Sequence, residues 1–142
     1  MGAMGRDIDA VLTAVVPAAE PLVVADWGAI RGETIGLGRV QLSAQLLGVP
    51  SEFLVVGITT RTVILVPVSL RRTVAARVWH RRLQPRLEAA ELLPRVEVIV
   101  ERAAPEWRGG VVAVAVRFVR RDGSACLVEL YDDPVGWAAL AY

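Results

Sequence analysis

The feature that most restricts the fold of this chain is an alternation of apolar and polar side chains, repeated in short segments along much of its length. In residues 40–46, for example, Val, Leu, Ala and Leu alternate with Gln, Ser and Gln. Because successive side chains of a strand lie on opposite sides of a sheet, this period of two predicts half-buried strands. Short strands joined by turns favour an antiparallel sheet that curls or closes.

Seven or eight segments are predicted as strands. Two β-branched runs, residues 53–58 and 62–68, are joined across a short polar turn and indicate a hairpin. Residues 72–82 are predicted as a further strand, although Leu70, Val74 and Val78 are four apart and also fit a helix. A loop is predicted around the glycines at positions 28, 32, 36 and 38. The remaining strand segments are residues 21–27, 40–46, 95–101, 111–119 and 125–131.

The last hairpin allows its register to be predicted. A two-residue loop at Asp122 and Gly123 would place Glu129 on an apolar face. A three-residue loop starting at Arg121 instead aligns the apolar residues, with Phe118 opposite Cys126, and turns Glu129 outward. Because burial determines register strongly, the three-residue loop is predicted, with Gly123 at positive φ.

Three helices are predicted. Residues 7–16 place Ile, Val and Leu at helical spacing, with Asp7 as N-cap and Pro17 as terminator. A middle helix is predicted to begin at Pro85 and to end at Pro94. At the C-terminal end, Asp133 and Pro134 indicate an N-cap and first turn, followed by Trp137 on the apolar face. We expect Trp137 to be buried against the sheet.

Length and composition predict one α+β, mainly β domain over residues 6–142, with residues 1–5 resembling a cloning remnant. The start of the chain carries no apolar signal segment, and the single cysteine excludes an internal disulfide, so a cytoplasmic protein is expected. All sixteen basic residues are arginine, and the chain lacks both lysine and asparagine. Codons for those two residues are A/T-rich, which indicates a bacterial source with a GC-rich genome.

Few residues are suited to catalysis. One histidine and one cysteine, His80 and Cys126, cannot make a typical zinc site. A Ser–His–Asp triad would have to use His80, whose arginine neighbours would make it a poorer base. Cys126 is expected to be a buried strand residue, and Asp133 of the Asp132–Asp133 pair to be a helix cap. The sequence therefore predicts no enzyme, no cofactor and no metal, with a small enzyme using a pocket at His80 as the least favoured alternative.

The most distinctive charged feature is an arginine run between positions 71 and 86, with no acidic residue between Glu52 and Glu88. Guanidinium groups bind phosphates in bidentate fashion, and a tryptophan can stack at an interface. The functional interpretation is a surface for an anionic lipid, nucleic acid or acidic partner. The alternative is a solvated segment neutralised by Glu88, Glu91 and Glu97. The candidate residues are Arg71, Arg72, Arg77, Trp79, Arg81, Arg82 and Arg86.

The order of these signals resembles that of bacterial pleckstrin-homology-like (PH-like, GRAM-related) domains. The similarity lies in an opening helix that ends at proline (VLTAVVPAAEPLVVADWGAIRG, residues 11–32) and in a hairpin (FLVVGITTRTVILV, residues 53–66). It continues in a last hairpin and helix with a tryptophan (VAVRFVRRDGSACLVELYDDPVGWAAL, residues 114–140). The resemblance implies a barrel or sandwich of about seven strands with a C-terminal capping helix. It also implies a non-enzymatic module that binds another protein or its own copy, with anionic lipid or nucleic acid as the alternative partner.

Overall fold

The computed structural model describes residues 3–17, 20–35, 39–41, 53–75 and 78–142. Within these ranges the protein is mainly β, with two α-helices, two single-turn 3-10 helices and ten strands. The helices are α1 (Ala3–Thr13) and α2 (Pro134–Ala139), with 3-10 turns at Leu87–Ala89 and Arg95–Glu97. The strands are β1 (Leu22–Ile35), β2 (Arg39–Gln41), β3 (Phe53–Thr59), β4 (Thr62–Ala75), β5 (Val78–Pro85), β6 (Glu91–Pro94), β7 (Ile99–Arg102), β8 (Glu106–Arg108), β9 (Val111–Val119) and β10 (Ala125–Leu130).

The strands pair antiparallel in the order β5-β4-β3-β1-β10-β9-β7, and the short strands β2, β6 and β8 pair with β1, β4 and β9. The long strand β1 joins two hairpins, because it pairs with β3 on one side and with β10 on the other. Gly28 pairs in both ladders, and a Cβ at this position would overlap the backbone carbonyl of Glu129. Gly28 and Gly32 therefore lie within a strand, and the loop predicted there is wrong for these two positions.

The sheet curls around a single inner core. Val63 and Leu65 of β4 belong to the same buried cluster as Val116 and Phe118 of β9, although three strands lie between β4 and β9 in the sheet. Side chains so far apart along a sheet can share a core only if the sheet bends around it. Val98, which connects the 3-10 turn at Arg95–Glu97 to β7, belongs to the same core.

The outer face of β3 and β4 is covered by α1. Ile8, Val11 and Leu12 pack on Val55 and Ile64, which point away from the inner core. Gly57 lies beneath the helix, where a Cβ would lie 2.8 Å from a Leu12 methyl group. The helix begins at Ala3 rather than at residue 7, so the prediction that Asp7 is its N-cap is wrong. The Asp7 carboxylate instead accepts a hydrogen bond from the backbone N–H of Leu83 at 3.0 Å.

The C-terminal helix α2 packs on the inner core at one end of the curled sheet. The prediction of its start is confirmed, because Asp133 is the N-cap, accepts from the Gly136 N–H at 3.0 Å, and precedes Pro134 in the first turn. Trp137 is buried, as predicted, with its ring edge-on to Phe118 at 6.1 Å. Arg102 donates to the backbone carbonyls of Trp137 and Leu140, where a cation offsets the negative end of a helix.

A buried carboxylate, Asp26, ties β1 to this C-terminal segment. Its oxygens accept hydrogen bonds from the backbone N–H groups of Trp27, Asp132 and Asp133, at 2.7, 2.8 and 3.2 Å. A fourth bond comes from the indole Nε1 of Trp137 at 2.8 Å. Burial raises the pKa of Asp26 to about 6, although the four donors act in the opposite direction.

The register predicted for the last hairpin is confirmed. Phe118 pairs with Cys126, Val116 with Val128, and Gly123 has a φ of 85°. The Arg120 N–H donates to the Ser124 carbonyl at 2.8 Å, which leaves residues 121–123 as the loop. Glu129 lies on the outer face as predicted, but it is buried there rather than exposed to solvent.

Two further predictions are wrong. No middle helix forms in the described chain between Pro85 and Pro94, because this stretch contains only the 3-10 turn at Leu87–Ala89 and strand β6. Residues 87–89 are exposed and have no apolar face to bury, so tertiary packing does not support a longer helix. Residues 95–97 form a 3-10 turn instead of the start of a strand, which leaves Val96 exposed.

Most of the predicted strand 40–46 lies outside the described residues. None of the described helices is long and apolar enough to cross a bilayer.

Candidate functional site

The arginine run lies mainly on the hairpin of β4 and β5. The prediction of one strand over residues 72–82 is wrong, because β4 ends at Ala75 and β5 begins at Val78. Arg71 pairs with Arg82 and Arg72 with Arg81 in consecutive positions of the ladder, and Trp79 pairs with Val74. Arg77 lies outside the described residues. Arg86 follows β5, is exposed, and donates its backbone N–H to the Pro67 carbonyl at 2.8 Å.

The acidic residues proposed to neutralise this run are partly engaged elsewhere. Glu91 accepts from Arg120 at 2.8 Å, and Glu97 pairs with Arg121 at 3.1 Å. Both partners belong to the β9–β10 hairpin and not to the run. Two of the three acidic residues are therefore paired with arginines outside the run.

A second candidate site lies on the outer face of β1, β10 and β9, which we call the open face. It surrounds a cleft of about 660 Å³ that is lined by Arg31, Val111, Ala115, Leu127, Val128, Glu129 and Tyr131. Leu127 is 39% exposed and Val111 is 46% exposed, whereas the neighbouring Ala113 is buried. Among the described elements, α1 packs on the outer side of β1, β3, β4 and β5, and the buried cluster that it forms contains no residue of β9 or β10.

The polar centre of the open face is a linked group of three side chains. Arg31 Nη2 donates to Glu129 Oε1 and to the hydroxyl of Tyr131, both at 3.2 Å. The Glu129 side chain is only 12% exposed and the Arg31 side chain 39% exposed. Burial, together with the charge of Glu129, raises the pKa of Tyr131, so its hydroxyl keeps its proton at neutral pH. Trp27 packs edge-on against the Tyr131 ring at 5.4 Å and supports it from β1.

The open face was not predicted from the sequence. One signal was available, because β9 (VVAVAVRFV) is apolar at both odd and even positions except at Arg117. Strands that are apolar on both faces are typically covered on both faces. The proximity of Arg31 to Glu129 could not be recognised, since these residues are 98 positions apart and meet only through the β1–β10 ladder.

The described part of the chain includes two of the residues that were considered for catalysis, Cys126 and Asp133. The described residues contain no group of three or more His, Cys, Asp or Glu side chains placed to hold a metal ion. Cys126 is buried in the inner core, and Asp133 acts as a helix cap. The structure describes His80 only as a backbone position of β5, paired with Thr73. No protein-family model, curated protein or solved structure matches this chain.

Proposed function

We propose that this chain is a non-enzymatic interaction module with a PH-like barrel, and that its open face binds a second copy of itself. The observation that carries the proposal is the cleft on the outer face of β9 and β10, where the partly exposed side chains of Leu127 and Val111 lie beside the ion pair of Arg31 and Glu129. The curled sheet with Trp137 in a C-terminal helix supports the PH-like part of the proposal.

The two halves of the sheet differ in how their outer faces are covered. β3 and β4 are apolar on both faces, and α1 buries the outer one through Ile8, Val11 and Leu12. The outer positions of β9 and β10 are also largely apolar, apart from Arg117 and Glu129, but the buried cluster of α1 contains no residue of either strand. An apolar sheet face left without a cover marks an interaction site. A partner over β9 and β10 would play the role that α1 plays over β3 and β4.

Charge balance favours a second copy as that partner. Two ion pairs within the chain lie on the open face and its rim, Arg31 with Glu129 and Arg117 with Glu101. In a two-fold interface each patch meets itself, so charges that are balanced within each patch add little repulsion between the copies. The net charge of the chain is +1, which adds little repulsion between copies.

The proposal is tested with Leu127→Asp, which places a charge in the cleft, and with sedimentation equilibrium as the measurement. We expect the parent to have twice the mass of one chain and the variant to have the mass of one chain. Val96→Asp is the matched control, because Val96 is 95% exposed on the 3-10 turn and outside the open face. This control should remain a dimer.

Circular dichroism melting shows whether the Leu127→Asp variant still folds. If it does not fold, Leu127→Ser removes the apolar contact without adding a charge and takes its place. A parent that is monomeric at the highest soluble concentration would overturn self-association, and binding of a different protein to the open face would then be the interpretation to pursue. A dimer that both variants leave intact would place the interface elsewhere.

A further inference from the structure

A cavity of about 130 Å³ reaches into the inner core near the β9–β10 loop, whereas α2 follows the opposite end of β10. Its floor consists of four inner-core residues that are each between 2% and 4% exposed, Ile30, Leu54, Leu65 and Cys126. This floor offers water few hydrogen-bond partners, because three of the side chains are hydrocarbon and a thiol bonds weakly. The cavity therefore suits an apolar occupant.

The mouth of the cavity is polar but electrically balanced. Arg120 donates from Nε and Nη2 to Glu91 Oε2, at 3.1 and 2.8 Å, and both residues line the cavity. An anionic ligand would have to displace Glu91 from Arg120, and a cationic ligand would have to displace Arg120 from Glu91. A neutral ligand leaves this ion pair intact, so the mouth favours a molecule without charge.

The 3-10 turn at Leu87–Ala89 lies at the mouth and offers a route of entry. Ala89 lines the cavity, and the turn buries none of its residues. Its backbone is held locally, because the N–H groups of Ala89 and Ala90 donate to the carbonyls of Arg86 and Leu87, both at 3.1 Å. Displacement of the turn exposes little apolar surface, so a ligand can enter while the strands of the inner core stay paired.

We propose that this cavity binds a neutral, apolar molecule of about the size of benzene. An apolar protein cavity of about 150 Å³ binds benzene, which sets the size class. Dispersion contacts with the side chains of the floor supply the affinity, and charge contributes nothing to it. The open-face cleft shares no lining residue with this cavity, so the inference does not depend on the proposed self-association.

The experiment measures thermal unfolding with benzene and with benzoate, a charged probe that has the same ring. Benzene well above its Kd should raise the Tm of the parent by a few degrees, because a ligand of the folded chain stabilises it by mass action. Benzoate should leave the Tm unchanged. Cys126→Met places a larger side chain in the cavity and should remove the effect of benzene. Val100→Met is the matched control and should retain it, since Val100 packs on the inner core without lining the cavity.

Intermolecular NOEs locate benzene in the parent, so the test does not depend on how well Cys126→Met folds. We expect NOEs from benzene to the methyl groups of Ile30, Leu54 and Leu65. NOEs confined to other methyl groups, or a benzene effect that a folded Cys126→Met retains, would place the site elsewhere and overturn the proposal. A parent whose Tm does not rise with benzene, or that benzoate stabilises more than benzene, would overturn it as well.

Discussion

At the scale of single residues, the most consequential group is one that the sequence did not mark. Asp26 lies in an apolar strand segment, and its four N–H donors come from its own neighbour and from residues more than 100 positions away. An unpaired buried carboxylate would be costly, whereas one that accepts four hydrogen bonds specifies where the C-terminal segment docks. Asp26 therefore acts as a structural anchor for α2.

The raised pKa of Asp26 gives a pH-dependent prediction. Its pKa rises from an ordinary value of 3.8 to about 6 on folding, so folding takes up a proton between these values. This carboxyl thus contributes stability that is full below about pH 4 and is lost as the pH rises through 6, by about 3 kcal/mol in total. Asn cannot titrate, so the stability gap between the parent and Asp26→Asn should widen as the pH falls from 7 to 4.

Urea unfolding at several pH values measures this gap. At pH 7 the variant should already be less stable by about 1–3 kcal/mol, because its amide N–H₂ would face N–H donors. Asp132→Asn, which alters an exposed carboxylate beside the same network, is the control and should show a smaller gap. A gap for Asp26→Asn that stays constant between pH 7 and pH 4 would show that this carboxyl does not take up a proton on folding.

At the scale of elements, the short helix α2 depends on packing and capping more than on helix propensity. Six residues are too few for a stable isolated helix. The Asp133 cap, the Arg102 contacts to its last carbonyls and the buried Trp137 together hold it in place. Its start could be predicted because a cap and a first-turn proline are neighbours in sequence. Its partners on β1 and β7 could not be predicted, because they come from distant parts of the chain.

Truncation of the buried tryptophan tests this dependence. We expect Trp137→Ala to lower the free energy of unfolding by about 3–5 kcal/mol, since it removes the ring from Phe118 and a hydrogen bond from Asp26. Trp137→Phe keeps an aromatic ring and should cost less, about 1–3 kcal/mol, because a buried acceptor loses its partner. Val135→Ala, in the same helix but 77% exposed, is the matched control for denaturant unfolding. Equal melting of Trp137→Ala and Val135→Ala would contradict the proposed role of α2.

The β4–β5 hairpin shows where element prediction failed. The strand character of residues 72–82 was recognised from its apolar residues, but its division into two paired strands was not, because no Gly or Pro occurs between Ala75 and Val78. This division changed which arginines pair in the ladder. A single strand would separate Arg72 from Arg81, whereas the hairpin places them opposite each other.

At the scale of the whole molecule, the curled sheet has an inner core, an outer face covered by α1 and an open face. The inner core buries one side of β3 and β4, and α1 buries the other side. On the open face Ala113 and Glu129 are buried, but Leu127 and Val111 remain partly exposed beside the cleft, and self-association would cover them.

Self-association predicts a stability that depends on protein concentration. Binding between folded copies stabilises them by mass action, so the Tm of the parent should rise by a few degrees over a roughly hundredfold increase in concentration. The Tm of Leu127→Asp should stay constant over the same range, while Val96→Asp should follow the parent. Calorimetry at matched concentrations measures this. A concentration-independent Tm for the parent would contradict a dimer that dissociates on unfolding.

The sequence by itself determined the features that depend on residues close together in the chain. The β3–β4 hairpin, the three-residue loop at residues 121–123 and the Asp133 cap follow from local alternation, turn chemistry and side chains that reach neighbouring backbone groups. Only the tertiary structure decided that α1 packs over β3 and β4 rather than over β9 and β10, because this docking joins distant parts of the chain. It also decided that Arg31 meets Glu129 and that Asp26 meets Trp137, since these contacts require the pairing of β1 with β10 and the docking of α2 across more than 90 residues of chain. Contacts over such distances depend on how the sheet curls, which no local pattern specifies.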